Sequence, residues 1–398
     1  MNRILRMTLA PWLIRRYNVS AENTEIFQTI PRPFVVLPNH TSVWDPFMVN
    51  AFVPGAIHYV VSDANFRSRL MEFGLGLVGS IPKTKVMSDL DAVKNIMKVK
   101  DRGGVVGIFP EGQNTWDGHT LPILYSTAKL VKLLRVPVVT ARIAGAFLSC
   151  PRWGRVSRKG SVSIRYRLAF MPDELRAASV DEIDRRIAED LDHDEFEYNR
   201  SRHVKFVGEA PAEYIERALF ACPQCGELGT IRSEDNIVRC TACDSAVRFG
   251  EEGFFEQHTG PLRFDNMHAW SLWQADHFRS RLDRYVHETA TEPLLREDLV
   301  NVEIGYKSNP LEPFCKGSVQ LLPDRIELVS DEQGTVPMPI SDIRGINVQN
   351  NERLEFYHGE DLYRLTPSDP RSCTYKWDLA VRHIQSMIRP ESQTDTLP

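Results

Sequence analysis

The sequence predicts an α/β unit, then a small cysteine-anchored module, then a β-rich unit closed by a helix. Three observations carry this. Between Phe34 and about Leu168 short apolar runs alternate with stretches of helical spacing, two Cys-x-x-Cys pairs follow at 222–225 and 240–243, and from Val300 onward short strand-like runs succeed one another. At 398 residues the chain has room for two or three domains of about 100–200 residues each.

The first element is a helix near the N-terminus. Leu5, Leu9, Trp12 and Leu13 share one face while Arg3, Arg6 and Arg15 lie off it, the pattern of a helix lying in a lipid interface. Pro11 should kink or divide it, and Arg16 returns toward the apolar side, so a helix docked on its own domain is the competing reading. Every long apolar stretch is interrupted by charge before the roughly 18 residues of a membrane span.

Apolar runs at 34–37, 57–61, 105–109, 136–143 and 161–168 then read as strands. Between them Leu90, Val93, Ile96 and Met97 share a helical face, with Ser88 or Asp89 available to cap its start and Gly103-Gly104 to end it. The alternation at 161–168 suggests an edge strand that solvates Arg165 and Arg167. Residues 173–205, with Leu and Ile at helical intervals among charges, read as one or two exposed helices.

The first candidate site is Asn39-His40-Thr41-Ser42-Val43-Trp44-Asp45, set just after Phe34–Leu37. A neutral imidazole removes a proton from an alcohol near physiological pH, and a carboxylate beside it orients the ring and stabilises the imidazolium. Five positions place His40 and Asp45 about 140° apart on an ideal helix, so the pair needs a turn. The alternative is that Asp45 only caps the helix begun by Pro46, with His40 a loop residue. Gly107-Ile108-Phe109-Pro110-Glu111-Gly112 puts a second carboxylate at another strand end, and Lys83 and Lys85 lie in a short loop between the two motifs. Ligands of open α/β sheets gather beyond such strand ends.

The order and spacing of these motifs resemble the four blocks of the 1-acylglycerol-3-phosphate O-acyltransferase family of glycerolipid acyltransferases, over roughly residues 30–205. The resemblance implies a mixed sheet flanked by helices and a catalytic pair of His40 and Asp45. Lys85 stands where the family's second block ends in a phosphate-binding Arg, and Lys lacks the bidentate fork. Phe109, Pro110, Glu111 and Gly112 match the acceptor-binding block residue for residue, and Val136-Pro137-Val138-Val139 would be the apolar fourth block. The implied activity is transfer of an acyl group from an acyl-CoA or acyl carrier protein thioester to the sn-2 hydroxyl of 1-acylglycerol-3-phosphate. Lys83, Lys85 and Arg152 would help hold the acceptor, Arg152 leading a run of cations that continues through Arg155, Arg158 and Lys159. The competing readings are another acceptor (glycerol-3-phosphate, another lysophospholipid or a glycolipid), or a catalytically silent zinc-ribbon adaptor.

Cys222-Pro223-Gln224-Cys225-Gly226 and Cys240-Thr241-Ala242-Cys243 are separated by 14 residues, just under the typical spacing of about 15–20. They resemble a zinc ribbon, with 229–232 and 237–239 as a hairpin. Four Cys ligands fill a tetrahedral Zn²⁺, which makes the metal structural. A redox dithiol or core cysteines are the other readings. A helix over about 266–287 follows, its Trp270, Trp273, Phe278, Leu282 and Tyr285 available for packing.

Runs at 302–304, 318–321, 325–329, 343–348, 354–357 and 362–365, closed by a helix from Tyr375 to Ile388, resemble a pleckstrin-homology or GRAM-like module; a β-rich accessory unit is the plainer alternative. The expected organisation is therefore an amphipathic segment at 1–30, an acyltransferase domain at 31–205, a zinc ribbon at 218–250, a linking helical segment at 251–299 and a β-rich domain at 300–390. A net charge of −5 gives no bias toward nucleic acid. Seven cysteines, four of them in Cys-x-x-Cys pairs, without a secretory leader argue for a reducing compartment, hence a cytoplasmic protein peripheral on the inner face of a membrane.

Overall fold

Seven strands build the first sheet: β1 (Val19–Glu22), β2 (Phe34–Pro38), β3 (Ile57–Ser62), β4 (Ile81–Lys83), β5 (Val105–Gly107), β6 (Val138–Ala144) and β7 (Val162–Phe170). This is a computed structural model, and it describes residues 2–83, 90–288, 291–306 and 309–388. The order is β1-β7-β6-β2-β5-β3-β4. From β6 to β4 all neighbours are parallel, β7 runs antiparallel to β6, and β1 is parallel to β7. The sheet is therefore mixed and flanked by helices, as expected.

Strand β2 is apolar throughout because both its faces are covered. Phe34 and Val36 join one core with Leu13, Tyr17, Met48, Val49 and Ile143. Val35 and Leu37 join the other with Ile96, Val106, Val131, Ile183 and Ile187. Each such side chain contributes about 1.5–3 kcal/mol on burial. The cost of this arrangement is that both faces of the sheet are closed, leaving only strand ends for a site.

Several expectations are corrected. The 161–168 strand is interior, because the unanticipated β1 covers its outer side; Arg165 and Arg167 do face outward, but on Glu22 at 2.7 Å and Asp190 at 2.5 Å. Segment 173–205 holds three helices (Pro172–Ala177, Val180–Leu191, Glu195–Arg200), and the second buries Ile183, Ile187 and Leu191 rather than lying exposed. The first helix runs unbroken from Asn2 to Tyr17 through Pro11. Its Leu13 and Tyr17 are buried in the domain's own core, and Trp12 stays half exposed, edge-on to Trp44. The helix Leu90–Asp101 is followed by Gly103, whose φ is +72°; Ser88 and Asp89, either of which was expected to cap its start, lie outside the described residues.

The described residues divide into two compact units, those within 2–211 with 250–254, and those within 212–249 with 255–388. The second contains a four-stranded antiparallel sheet of β8 (Ile231–Glu234), β9 (Ile237–Cys240), β10 (Ala246–Phe249) and β11 (Phe255–Thr259). A helix, Met267–His287, leads from it with Trp270, Phe278, Leu282 and Tyr285 buried. A seven-stranded antiparallel sheet follows: β12 (Leu295–Gly305), β13 (Glu312–Leu321), β14 (Arg325–Ser330), β15 (Gly334–Pro339), β16 (Ile343–Gln349), β17 (Arg353–His358) and β18 (Asp361–Pro367), closed by the helix Thr374–Ile388. In this sheet the strand not anticipated is β15, which carries Pro337 and Pro339. It lies at the sheet edge, where a missing N–H removes no ladder bond. In the smaller sheet β10 and β11 were not anticipated, and β11 lies where the linking helical segment was expected.

Candidate active site

Strand β2 ends at Pro38, and the next residue anchors the turn. Asn39 is buried and pairs with the backbone of Ile143 in both directions, donating from Nδ2 at 3.0 Å and accepting at Oδ1 at 2.7 Å. Its amide substitutes for a ladder step between β2 and β6 and so fixes where His40 emerges. The only sequence cue to this role was an Asn just past a buried strand.

His40 Nδ1 lies 3.0 Å from Asp45 Oδ2. The same Oδ2 accepts the amides of Thr41 at 2.6 Å and Ser42 at 2.8 Å. Asp45 is fully buried in the first turn of the helix Asp45–Phe52, with Pro46 behind it. Its carboxylate therefore closes the turn before the helix rather than capping the helix itself, and the helix N-terminus favours its charge. Because an ionised carboxylate only accepts, the proton between the two sits on Nδ1. Nε2 is left with a lone pair and has no hydrogen-bond partner among the described residues, on a side chain 21% exposed. An imidazole so oriented can take a proton from a hydroxyl.

Three residues of the Phe109–Gly112 run, expected to bind the acceptor, make contacts within the protein. Phe109 stacks on the His40 ring, centroids 4.1 Å apart, and is backed by Tyr59 at 5.5 Å. Glu111 is buried, accepting the amide of His40 on Oε1 at 2.6 Å and that of Leu121 on Oε2 at 2.7 Å. Burial pushes its carboxyl up to about 8, against the pull of those two amides. Pro110 is buried and its carbonyl accepts from Leu124. Gly112 is exposed at φ +74°, where an added Cβ would meet Leu124 at 3.1 Å in a conformation costly to any side chain.

The cations are dispersed. Lys83 is half-buried at the end of β4, whereas Lys85 lies outside the described residues. Arg152 is 4% exposed, donates to the Asn114 carbonyl at 2.8 Å and to Gln113 at 3.3 Å, and covers the Trp116 ring at 4.1 Å. The guanidinium braces the loop between Glu111 and Gly118. Arg158, from the same basic run, is also buried, donating to the carbonyls of Leu148 and Pro211. Burial lowers it to about 9.

A second constellation lies in the other unit. The Sγ atoms of Cys222, Cys225, Cys240 and Cys243 all lie within 4.8 Å of one another, with Cys222–Cys243 and Cys225–Cys240 at 3.7 Å. Four sulfurs at about 2.3 Å from one tetrahedral ion stand about 3.8 Å apart, so the set could hold a metal ion. The two turns repeat one geometry. Gln224 N donates to Cys222 Sγ and Ala242 N to Cys240 Sγ, both at 3.4 Å, and the residue after each pair, Gly226 or Asp244, has positive φ. Gln274 and Trp270 of the Met267–His287 helix hold the chain leading into the first turn, through Phe220 and Ala221.

Residues 18–144 match the family model described as Acyltransferase, a span that includes His40, Asp45 and Phe109–Gly112 and excludes Arg152 and the cysteines. No curated protein matches the chain. Among solved structures it is similar to the 1-acyl-sn-glycerophosphate (LPA) acyltransferase PlsC from Thermotoga maritima, at 19% identity over 47% of this chain and 74% of that one, TM-score 0.40. It is also similar to the PH domain from TgAPH, at 12% identity over 30% of this chain and 98% of that one, TM-score 0.17. No helix among the described residues is long and apolar enough to cross a membrane.

Proposed function

We propose, from the acyltransferase-family domain that residues 18–144 form, that this protein transfers an acyl group from a thioester to the sn-2 hydroxyl of a 1-acylglycerol-3-phosphate. The observation that carries the reading is the contact of His40 Nδ1 with Asp45 at 3.0 Å, on a ring whose other nitrogen is open.

The acceptor's hydroxyl oxygen attacks the thioester carbonyl carbon as His40 Nε2 takes its proton. Asp45 holds the ring and balances the imidazolium that forms. The tetrahedral intermediate then collapses, the C–S bond breaks, and His40 returns the proton to the departing thiolate. General-base action of this kind contributes about 10²–10⁴-fold. Phe109 and Glu111 act through His40, one against its ring and the other on its amide, so they are positioning residues. Lys83 and Lys85 supply point charges for the acceptor's phosphate.

The four-cysteine cluster takes Zn²⁺ as a structural ion, because four protein ligands leave no open coordination position. The donor is acyl-CoA or acyl carrier protein, and the setting is the cytoplasmic face of a membrane. Full-length protein incubated with labelled acyl-CoA or acyl carrier protein and a panel of lysolipids tests the reading. Product from 1-acylglycerol-3-phosphate, lost on His40→Ala, is the expected result; equal turnover by that variant overturns it.

A further inference from the structure

The helix Arg69–Val78 is apolar, and only Leu75 and Val78 of its apolar side chains are even half-buried. Six of its ten residues are Leu, Met, Phe or Val, yet none is buried. Leu70 is 79% exposed, Phe73 67%, Met71 49% and Leu77 41%. Leu70, Phe73 and Leu77 fall at i, i+3 and i+7, on one face. Single exposed leucines are ordinary, but four large apolar side chains on one short element form a patch that marks an interaction surface. The helix is also properly closed: Gly79, at φ +70°, donates to Gly76, and Ser80 donates to Leu75 at 3.0 Å.

Its place in the fold relates it to the candidate site. It follows the carboxyl end of β3 through the turn Asp63–Phe66 and leads back into β4. Strand β3 is parallel to β5, and β5 to β2, so the helix departs from the same side of the sheet as His40. Arg67 and Arg69 stand at its start and Lys83 beyond its end, against a single acid, Glu72.

We propose that this helix is the surface by which the protein seats on an anionic lipid bilayer, at the same end of the parallel strands as His40. The proposal rests on the acyl-transfer reading for its substrate, but its binding surface is read from exposure alone. Leu70, Phe73, Met71 and Leu77 enter the boundary between headgroups and acyl chains, while the flanking cations stay at headgroup level. A ten-residue helix is about 15 Å long, too short to supply alone the roughly 800 Å² per side of a stable protein interface; a bilayer asks for no complementary shape. The N-terminal helix, which the sequence offered for this task, turns Leu13 and Tyr17 into its own core.

Vesicle flotation of the full chain tests this, with phosphatidylcholine vesicles and with phosphatidylcholine–phosphatidylglycerol vesicles, in the absence of acyl donor. Leu70→Ser with Phe73→Ser should weaken flotation at least about tenfold while leaving Tm and turnover of short-chain, water-soluble substrates unchanged. Arg69→Ala should weaken it on the phosphatidylglycerol vesicles only. Should the double variant lower Tm, Leu70→Ser alone carries the same readings. Flotation unchanged by these substitutions, no flotation by the wild type, or a change confined to oligomeric state in gel filtration overturns the proposal, the last pointing to a second copy as the occupant. Wild type that floats through this helix yet acylates no lysolipid sinks the proposed function and leaves the surface standing.

Discussion

Glu111 accepts the backbone amide of His40 at 2.6 Å, so the carboxyl of one strand-end motif holds the imidazole-bearing turn of the other. The two motifs are 71 residues apart in the chain and meet because β2 and β5 are neighbours in the sheet. Glu111 is thereby part of the frame that positions the imidazole, and its second oxygen ties the same frame to Leu121.

His40→Ala should lower acyl transfer by at least about 10²-fold with Tm close to wild type, since the ring is partly exposed and buried Asp45 keeps the amides of Thr41 and Ser42 as donors. Asp45→Asn should lower both. Its Oδ2 also accepts the amides of Thr41 and Ser42, so the turn loses its acceptor together with the base's orientation. Initial rates beside thermal melts separate the two; a D45N variant with wild-type Tm contradicts the turn-closing role.

Glu111→Gln, the neutral near-isostere of the protonated carboxyl, should change stability little below about pH 8, whereas Glu111→Ala removes the acceptor of both backbone amides and should destabilise the protein by about 1–3 kcal/mol. The wild-type group also gives stability a pH dependence. Its folded value, about 8, lies above its ordinary 4.5, so its contribution is fully present below about 4.5 and lost as pH rises through about 8. The loss is at most roughly 5 kcal/mol. Urea unfolding between pH 5 and 9 should show this decline, and E111Q should flatten it; an unchanged slope contradicts the assignment.

Arg152→Ala should cost about 1–3 kcal/mol by removing the donor to Asn114 and the cover over Trp116, with KM for the acceptor little changed. A raised KM at unchanged Tm would assign Arg152 to the acceptor's phosphate instead.

Purified protein should carry about one zinc per chain by elemental analysis. Cys222→Ser should lose it and unfold the small sheet around it, while the initial acyl-transfer rate per folded acyltransferase unit stays the same. Metal-dependent turnover in the acyltransferase unit contradicts a structural role.

Much of the fold could be read locally. The strands at 34–37, 57–61 and 105–107, the hairpin between the cysteine pairs and the Met267–His287 helix all carry their own periodicity or turn chemistry. Short polar β1 and proline-bearing β15 escaped because each relies on a neighbouring strand for its identity. The pairing of His40 with Asp45 was legible because both lie on one turn. The roles of Asn39, Glu111 and Arg152 were not, because each depends on a partner far along the chain.

What the chain determined by itself was chemistry at short range: which residue types stand at strand ends, which turns they form, and which four thiols can converge. Tertiary structure decided which of those polar groups stay open to a ligand. A charge reaches solvent or is taken up by a buried amide according to which strands become neighbours, and that choice is made by burying Val35, Val36 and Leu37 on both faces of one sheet.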